Sequence, residues 1–147
     1  MPIQLICNKQ EIEGIIYAQI NLGTTKPYGV YLKLETKEHS ISNTKYYGYF
    51  ENALIALQNQ LPTNIKIKTC LSCRYSHYHP VGNGMFGGLH CFKNIKSIAQ
   101  TIQSKYTLMD TWEKAKKEQT IFNVQETFDC SEHEFITNKD WNYSDWQ

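Results

Sequence analysis

The chain has 147 residues, 41% of them hydrophobic, and 15 Lys/Arg against 14 Asp/Glu give a net charge of +1. That length accommodates one domain with a real core, and that apolar fraction excludes global disorder. No apolar run of about 18 residues argues for a membrane-spanning helix, and "MPIQLICNKQEIEG" has neither the basic start nor the apolar core of a signal peptide.

Ile3, Leu5 and Cys7 alternate with polar residues and predict a short strand, with Cys7 in the core. Ile16, Ala18, Ile20 and Leu22 alternate again, "NLGTTKPYG" reads as a turn, and Val30, Leu32 and Leu34 restart the period of two. Together they predict an antiparallel meander with one buried face. Phe50, Ala53, Leu54 and Leu57 fall on one stripe of a helix that Pro62 helps to stop. Ile65 and Ile67 predict a strand that delivers Cys70 at its end.

Beyond the cysteine-rich stretch, Ile95, Ile98, Ala99 and Ile102 have helical spacing, with Asn94 as the expected cap. Thr107 and Asp110 suggest a capping box for a further helix with Leu108, Trp112 and Ala115 inward. "TIFNVQETFDC" reads as a last strand ending near Cys130, and the final dozen residues, "NKDWNYSDWQ" among them, have no clean period and read as a tail, docked or mobile. The expected fold is α+β: a mostly antiparallel sheet with about three helices on one face and a cysteine-rich loop pinned by a metal. It is expected as a single domain over 1–147, with a strand meander at 1–48, a helix, strand and cysteine-loop core at 49–136, and an acidic aromatic tail at 137–147.

The stretch "CLSCRYSHYHPVGNGMFGGLHCF", residues 70–92, carries the most chemistry. A redox dithiol at Cys70–Cys73 would open a helix, but Pro80 and the glycines that follow cannot continue one. Gly82, Gly84 and Gly87 spell G-x-G-x-x-G without the strand before and helix after that a nucleotide fingerprint needs. A zinc deaminase would require H-x-E and then P-C-x-x-C, and neither is present. No spacing selects a Cys–His catalytic pair among His77, His79 and His90. A structural zinc site takes four thiolate or imidazole ligands. Cys70 and Cys73 form the knuckle, Cys91 follows across the glycine-rich turn, and Cys130 is the fourth ligand, with His77, His79, His90 or His133 as substitutes. Buried, reduced cysteines without metal are the alternative.

Charge is unevenly placed. Residues 64–117 hold nine Lys/Arg against two acids, whereas 118–147 hold seven acids against Lys139. Either the two segments neutralise each other across the fold, or one charged face meets a partner of opposite sign.

Residues 49–135 resemble an uncharacterised family of small bacterial proteins. The motifs that carry the likeness are Leu61-Pro62, Cys70-Leu71-Ser72-Cys73, Tyr78 to Gly87, Cys91-Phe92 and Gln125 to Glu132. The resemblance implies that the four cysteines belong together, and no activity comes with it. As a short chain of this kind the protein also resembles the immunity proteins paired with bacterial polymorphic or contact-dependent toxins. What that implies is a cytoplasmic binding protein, not an enzyme, that neutralises a cognate toxin domain of nuclease type. Glu132, Glu134, Asp140, Trp141, Asp145 and Trp146 are its expected contacts, carboxylates for steering and aromatics for anchoring. The alternative is a small zinc-stabilised nucleic-acid-binding module using Lys66, Lys68, Arg74, Lys93 and Lys96, with Tyr75, Tyr78 and Phe86 as stacking platforms. A pI near 7.6 weighs against it.

Overall fold

Alternating apolar residues at the start of the chain build an antiparallel sheet. The structure is a computed structural model describing residues 1–24, 28–82 and 84–146. Its chain divides into two compact units, Met1–Lys68 and Thr69–Gln147.

In the first unit, β1 (Pro2–Cys7), β2 (Gln10–Asn21), β3 (Gly29–Glu35), β4 (Ser40–Ser42) and β5 (Ile65–Lys68) form one sheet of order β4-β3-β2-β1-β5. Every pairing is antiparallel. The β1–β2 register is set by a two-residue hairpin in which Asn8 and Lys9 have φ of 49° and 70°. Positive φ at both positions matches the right-handed twist of the flanking strands. Ile3, Leu5, Ile16, Val30, Leu32, Leu34, Ile65 and Ile67 are buried on one face. Helix α1 (Phe50–Gln58) covers that face with Phe50, Ala53, Leu54 and Leu57, as its stripe predicts. Each such fully buried aliphatic side chain contributes on the order of 2 kcal/mol.

Two readings of this unit change. Of the Ile16–Leu22 alternation only Ile16 is buried; Ile20 and Leu22 are 47% and 69% exposed, although Ile20 pairs with the buried Val30 of β3. Cys7 is half-buried, since it sits at the hairpin end of β1, where Asn64 Nδ2 approaches its sulfur at 3.5 Å. The turn expected at 21–29 includes residues 25–27, which lie outside the described residues.

The second unit opens with a 3₁₀ turn at Cys70–Ser72. Strands β6 (Ser76–Tyr78), β7 (Leu89–Cys91) and β8 (Phe122–Val124) follow and pair antiparallel in the order β6-β7-β8. Between β7 and β8 lie a 3₁₀ turn at Lys93–Ile95, the short helix α2 (Lys96–Ala99) and the longer α3 (Lys105–Lys117). Their core is Cys73, Tyr75, Phe92, Ala99, Ile102 and Leu108, with Trp112, Trp141 and Tyr143 packed against it. The fold is therefore α+β, with antiparallel sheets and three helices. No helix among the described residues is long and apolar enough to cross a membrane.

Four expectations in this unit are corrected. The cysteine-rich stretch is not all irregular, since it contains the β6–β7 hairpin. The helix read from Ile95 to Ile102 breaks into a 3₁₀ turn and a single α-turn, and Asn94 lies inside the former without capping it. Helix α3 is capped by Ser104, whose Oγ accepts from the Thr107 amide; the box sits one turn earlier than Thr107–Asp110. Strand β8 ends at Val124, because the chain then turns, the Phe128 amide donating to the Gln125 carbonyl, and buries Glu126. The tail is docked, with Trp146 7% exposed.

Candidate functional site

Cys70, Cys73 and Cys91 are buried, Cys130 is half-buried, and none of the five cysteines is in a disulfide. Local sequence places each. The Ser72 hydroxyl accepts from the Thr69 amide at 3.1 Å and lies 3.0 Å from its carbonyl, which fixes the start of the 3₁₀ turn at Cys70. The Cys73 amide donates to the Cys70 carbonyl at 3.2 Å, and the Ser76 amide to the Cys73 carbonyl at 3.1 Å. Ser76 in turn faces Cys91 across the β6–β7 ladder.

Cys130 arrives by a longer route. The amides of Cys70 and Leu71 donate to the carbonyls of Phe128 (3.0 Å) and Glu126 (3.3 Å). On the far side the Arg74 amide donates to the Glu134 carbonyl, the Ile136 amide to the Ser72 carbonyl, and Cys73 bridges to Phe135. The segment holding Cys130 is thus clamped to the Cys70–Cys73 turn at both ends. The His133 amide closes it on the Cys130 carbonyl at 3.1 Å.

The electrostatics follow from that packing. Burial first, and then the neighbouring Cys91, Cys73 and Cys130, push the Cys70 thiol up to about 12. Burial likewise raises Cys73 and Cys91, and each feels Cys130. Opposing this, the amides of Glu134 and Tyr75 face the Cys73 sulfur and the Lys93 amide faces Cys91. The Ser76 hydroxyl lies near enough to Cys70 and Cys73 to lower both. It is otherwise buried without a hydrogen-bond partner. Among the described residues no three or more His, Cys, Asp or Glu side chains are drawn together in a geometry that could hold an ion. Cys91, Cys73 and Cys130 lie near enough to Cys70 to interact with it electrostatically, three of the four buried and Cys130 half-buried.

The imidazoles are engaged elsewhere. His133 Nε2 lies 3.0 Å from Ser72 Oγ. His77 is 1% exposed, its ring between Phe92 and Trp141, and burial lowers its pKa to about 4. His79 and His90 pack edge-on against Trp112 at 4.4 and 5.7 Å between ring centroids.

The six acidic and aromatic residues read as contacts mostly face their own unit. Asp140 pairs with Arg74 through its Oδ1. Glu132 bridges Lys93 (3.0 Å) and Lys96 (3.5 Å), and Glu134 reaches Lys96, Arg74 and the Tyr75 hydroxyl. Trp141 stacks on Tyr143, Trp146 is buried, and Asp145 is exposed. A cleft of about 410 Å³ is lined by Asp140, Trp141, Asn142 and Trp146 among others. These ion pairs are of the kind in which basic middle and acidic tail neutralise each other. They also occupy Arg74, Lys93 and Lys96, while Lys68 pairs with Glu11, and Tyr75 and Tyr78 are buried.

Two working residues escaped the sequence reading. Glu126 is 6% exposed and accepts from the Gly87 amide at 2.7 Å and the Tyr78 hydroxyl at 3.4 Å. Asn43, 2% exposed, accepts from the Leu32 amide and donates to the Ala53 carbonyl. An isolated Glu or Asn has no periodicity to mark it, although the glycine run, which ends at Gly87–Gly88 and whose Gly87 lies 39 residues before Glu126, did signal a tight loop that needed an anchor.

Residues 1–76 match the model of DUF6304, a family of unknown function. The chain belongs to this family. The match spans the first unit and continues through Cys70 and Cys73, ending short of Cys91 and Cys130. No curated protein and no solved structure matches the chain.

Proposed function

We propose that this DUF6304 protein acts by recognition in the cytoplasm, as an immunity protein that binds and neutralises a cognate toxin domain with a cationic, nuclease-type surface. The observation that carries this reading is the condition of its nucleophiles. Cys70, Cys73 and Cys91 are buried, and His77 is 1% exposed and held neutral against Phe92 and Trp141. Side chains in those states supply packing rather than attack. The half-exposed carboxylates of Glu132 and Glu134 and the exposed Asp145 are the acidic contacts within reach of a cationic partner. Their internal lysine partners are solvent-screened, so exchanging them for a partner's cations costs little. The nucleic-acid alternative has less support, because its cations are paired within the unit and two of its three aromatic platforms are buried.

The test is co-expression with a toxin domain encoded beside it. Growth should be rescued by the wild-type chain and lost with Glu132→Lys/Glu134→Lys, while a purified complex forms faster at low salt. Absence of any complex with the adjacent gene product, or salt-sensitive binding to nucleic acid instead, overturns the reading.

A further inference from the structure

We propose that Cys70, Cys73, Cys91 and Cys130 close on one zinc ion as a tetrathiolate site. The inference is independent of the partner proposed above. It stands first on the backbone. Cys70 and Cys73 share one hydrogen-bonded turn, the ladder pairing of Ser76 with Cys91 sets the third cysteine beside that turn, and two clamps bring Cys130 back to it. Three separate stretches of chain are thus hydrogen-bonded to one another around the cysteines.

The second observation is the set of donors. The amide two residues beyond Cys73 and the amide two residues beyond Cys91 each face the preceding sulfur. A thiol needs no such donors; a metal-bound thiolate, rich in charge, does. The same local relation occurs at both cysteines, Cys73 just past the 3₁₀ turn and Cys91 at the end of β7. The Ser76 hydroxyl, 1% exposed and without a partner, is a third donor beside Cys70 and Cys73. A buried unpaired hydroxyl is costly, and a thiolate is the acceptor that satisfies it. Lys93, two residues beyond Cys91, is tied by a 3.0 Å ion pair to Glu132, two residues beyond Cys130, so a cation stands beside the site and offsets part of the negative charge of a zinc tetrathiolate. Closing the site asks the four side chains to rotate toward a common centre within a backbone frame that is already hydrogen-bonded.

The second unit has use for such a staple. Its sheet has three strands of three residues each. Strands that short hold little on their own, and a metal that joins the knuckle, the hairpin and the C-terminal segment couples its binding energy to folding.

The experiment uses the full chain, expressed with zinc and purified under reducing conditions. Metal content is measured by elemental analysis, and the site is then loaded with cobalt for its spectrum. Expected are one zinc per chain, a tetrahedral cobalt spectrum with thiolate charge-transfer bands, and the same results for Cys7→Ser. Cys130→Ser should lose zinc to a competing chelator at concentrations at least tenfold lower than wild type. Ser76→Ala should keep the stoichiometry with affinity reduced roughly tenfold. If Cys130→Ser does not fold, thiol titration of the native wild-type protein decides. Cys7 alone should react until a chelator is added, and four further thiols afterwards. Absence of zinc and of the cobalt bands overturns the site. So does wild-type affinity in Cys130→Ser, or thiol reactivity that a chelator leaves unchanged.

Discussion

The amide of Gly87 donates to Oε1 of Glu126 at 2.7 Å, joining the glycine-rich loop to a buried carboxylate of the same unit. The glycines that spell a phosphate-binding pattern thus close on an anion the protein carries itself. Gly87 and Gly88 have φ of 76° and 79°, the left-handed region that a side chain strains. Glu126→Ala removes the acceptor and leaves the Gly87 amide unpaired, with an expected loss of about 2 kcal/mol in urea unfolding. Glu126→Gln keeps an acceptor oxygen and should lose less than half of that. Gly87→Ala has open space for its methyl group and should cost about 1 kcal/mol, from backbone strain alone.

His77 makes stability depend on pH. Burial lowers its pKa from 6.5 to about 4, so the folded protein keeps it neutral where the unfolded chain has protonated it. Between those two values the unfolded state binds more protons, and stability falls as pH falls. The full contribution is present above pH 6.5 and is lost on descent to about pH 4, below which this residue adds no further slope. The size is roughly 3 kcal/mol. His77 Nδ1 accepts from the Tyr143 amide at 3.4 Å, while Nε2 is buried without a partner. His77→Phe keeps the aromatic packing against Phe92 and Trp141 and removes the orphaned donor. Unfolding midpoints measured from pH 7 to pH 4 should fall less steeply in this variant than in wild type.

Arg74 and Asp140 tie the C-terminal segment to the chain just after the cysteine turn. Burial pushes the Asp140 carboxyl up, but hydrogen bonds from the Thr137 hydroxyl and amide and the charge of Arg74 outweigh it and hold it below the usual value. Its contribution is present above the ordinary carboxylate range and is lost as pH falls through it. Arg74→Ala and Asp140→Asn should each cost about 2 kcal/mol, and the double variant distinctly less than their sum. Additive losses in a double-mutant cycle would show the pair to be energetically idle.

The sequence announced the elements whose periodicity was clean, and for physical reasons. Ile3 to Leu5, Val30 to Leu34, Phe50 to Leu57 and Ile65 to Ile67 each bury one face, so their spacing is the fold written directly. It was less informative where tertiary hydrogen bonds override local preference. Residues 120–130 look like one strand by composition, yet past Val124 the carbonyls of Glu126 and Phe128 pair with the cysteine turn instead of a ladder. The charge asymmetry was legible as an imbalance; which lysine meets which carboxylate depends on folding that brings Lys93 to Glu132. The cysteines were legible as a group through spacing, whereas the donors around them, above all Ser76, needed the β6–β7 pairing to be seen.

Asn43 does for the first unit what Glu126 does for the second. Just past β4, its amide and Oδ1 pair with the carbonyl and amide of Leu32, at 2.9 and 2.8 Å, extending the edge of the sheet. Its Nδ2 donates to the Ala53 carbonyl at 2.9 Å and so fixes α1 over the strands. A buried side chain satisfying two backbone groups has no apolar substitute. Asn43→Leu strands the Leu32 amide and should cost about 3 kcal/mol, whereas Asn43→Asp keeps that bond, loses the link to α1 and places a charge in the core. Gly29 on the neighbouring strand sets the comparison: at φ 126° its added Cβ would meet the Tyr47 carbonyl oxygen at 2.2 Å. Gly29→Ala must therefore shift the Val30–Tyr47 pairing that closes this edge. Hydrogen exchange separates the two effects. Asn43→Leu should expose the Leu32 amide and loosen α1 together, and Gly29→Ala should expose the Val30 and Tyr47 amides first. Equal protection of all four positions in both variants would mean that this edge is held by burial alone.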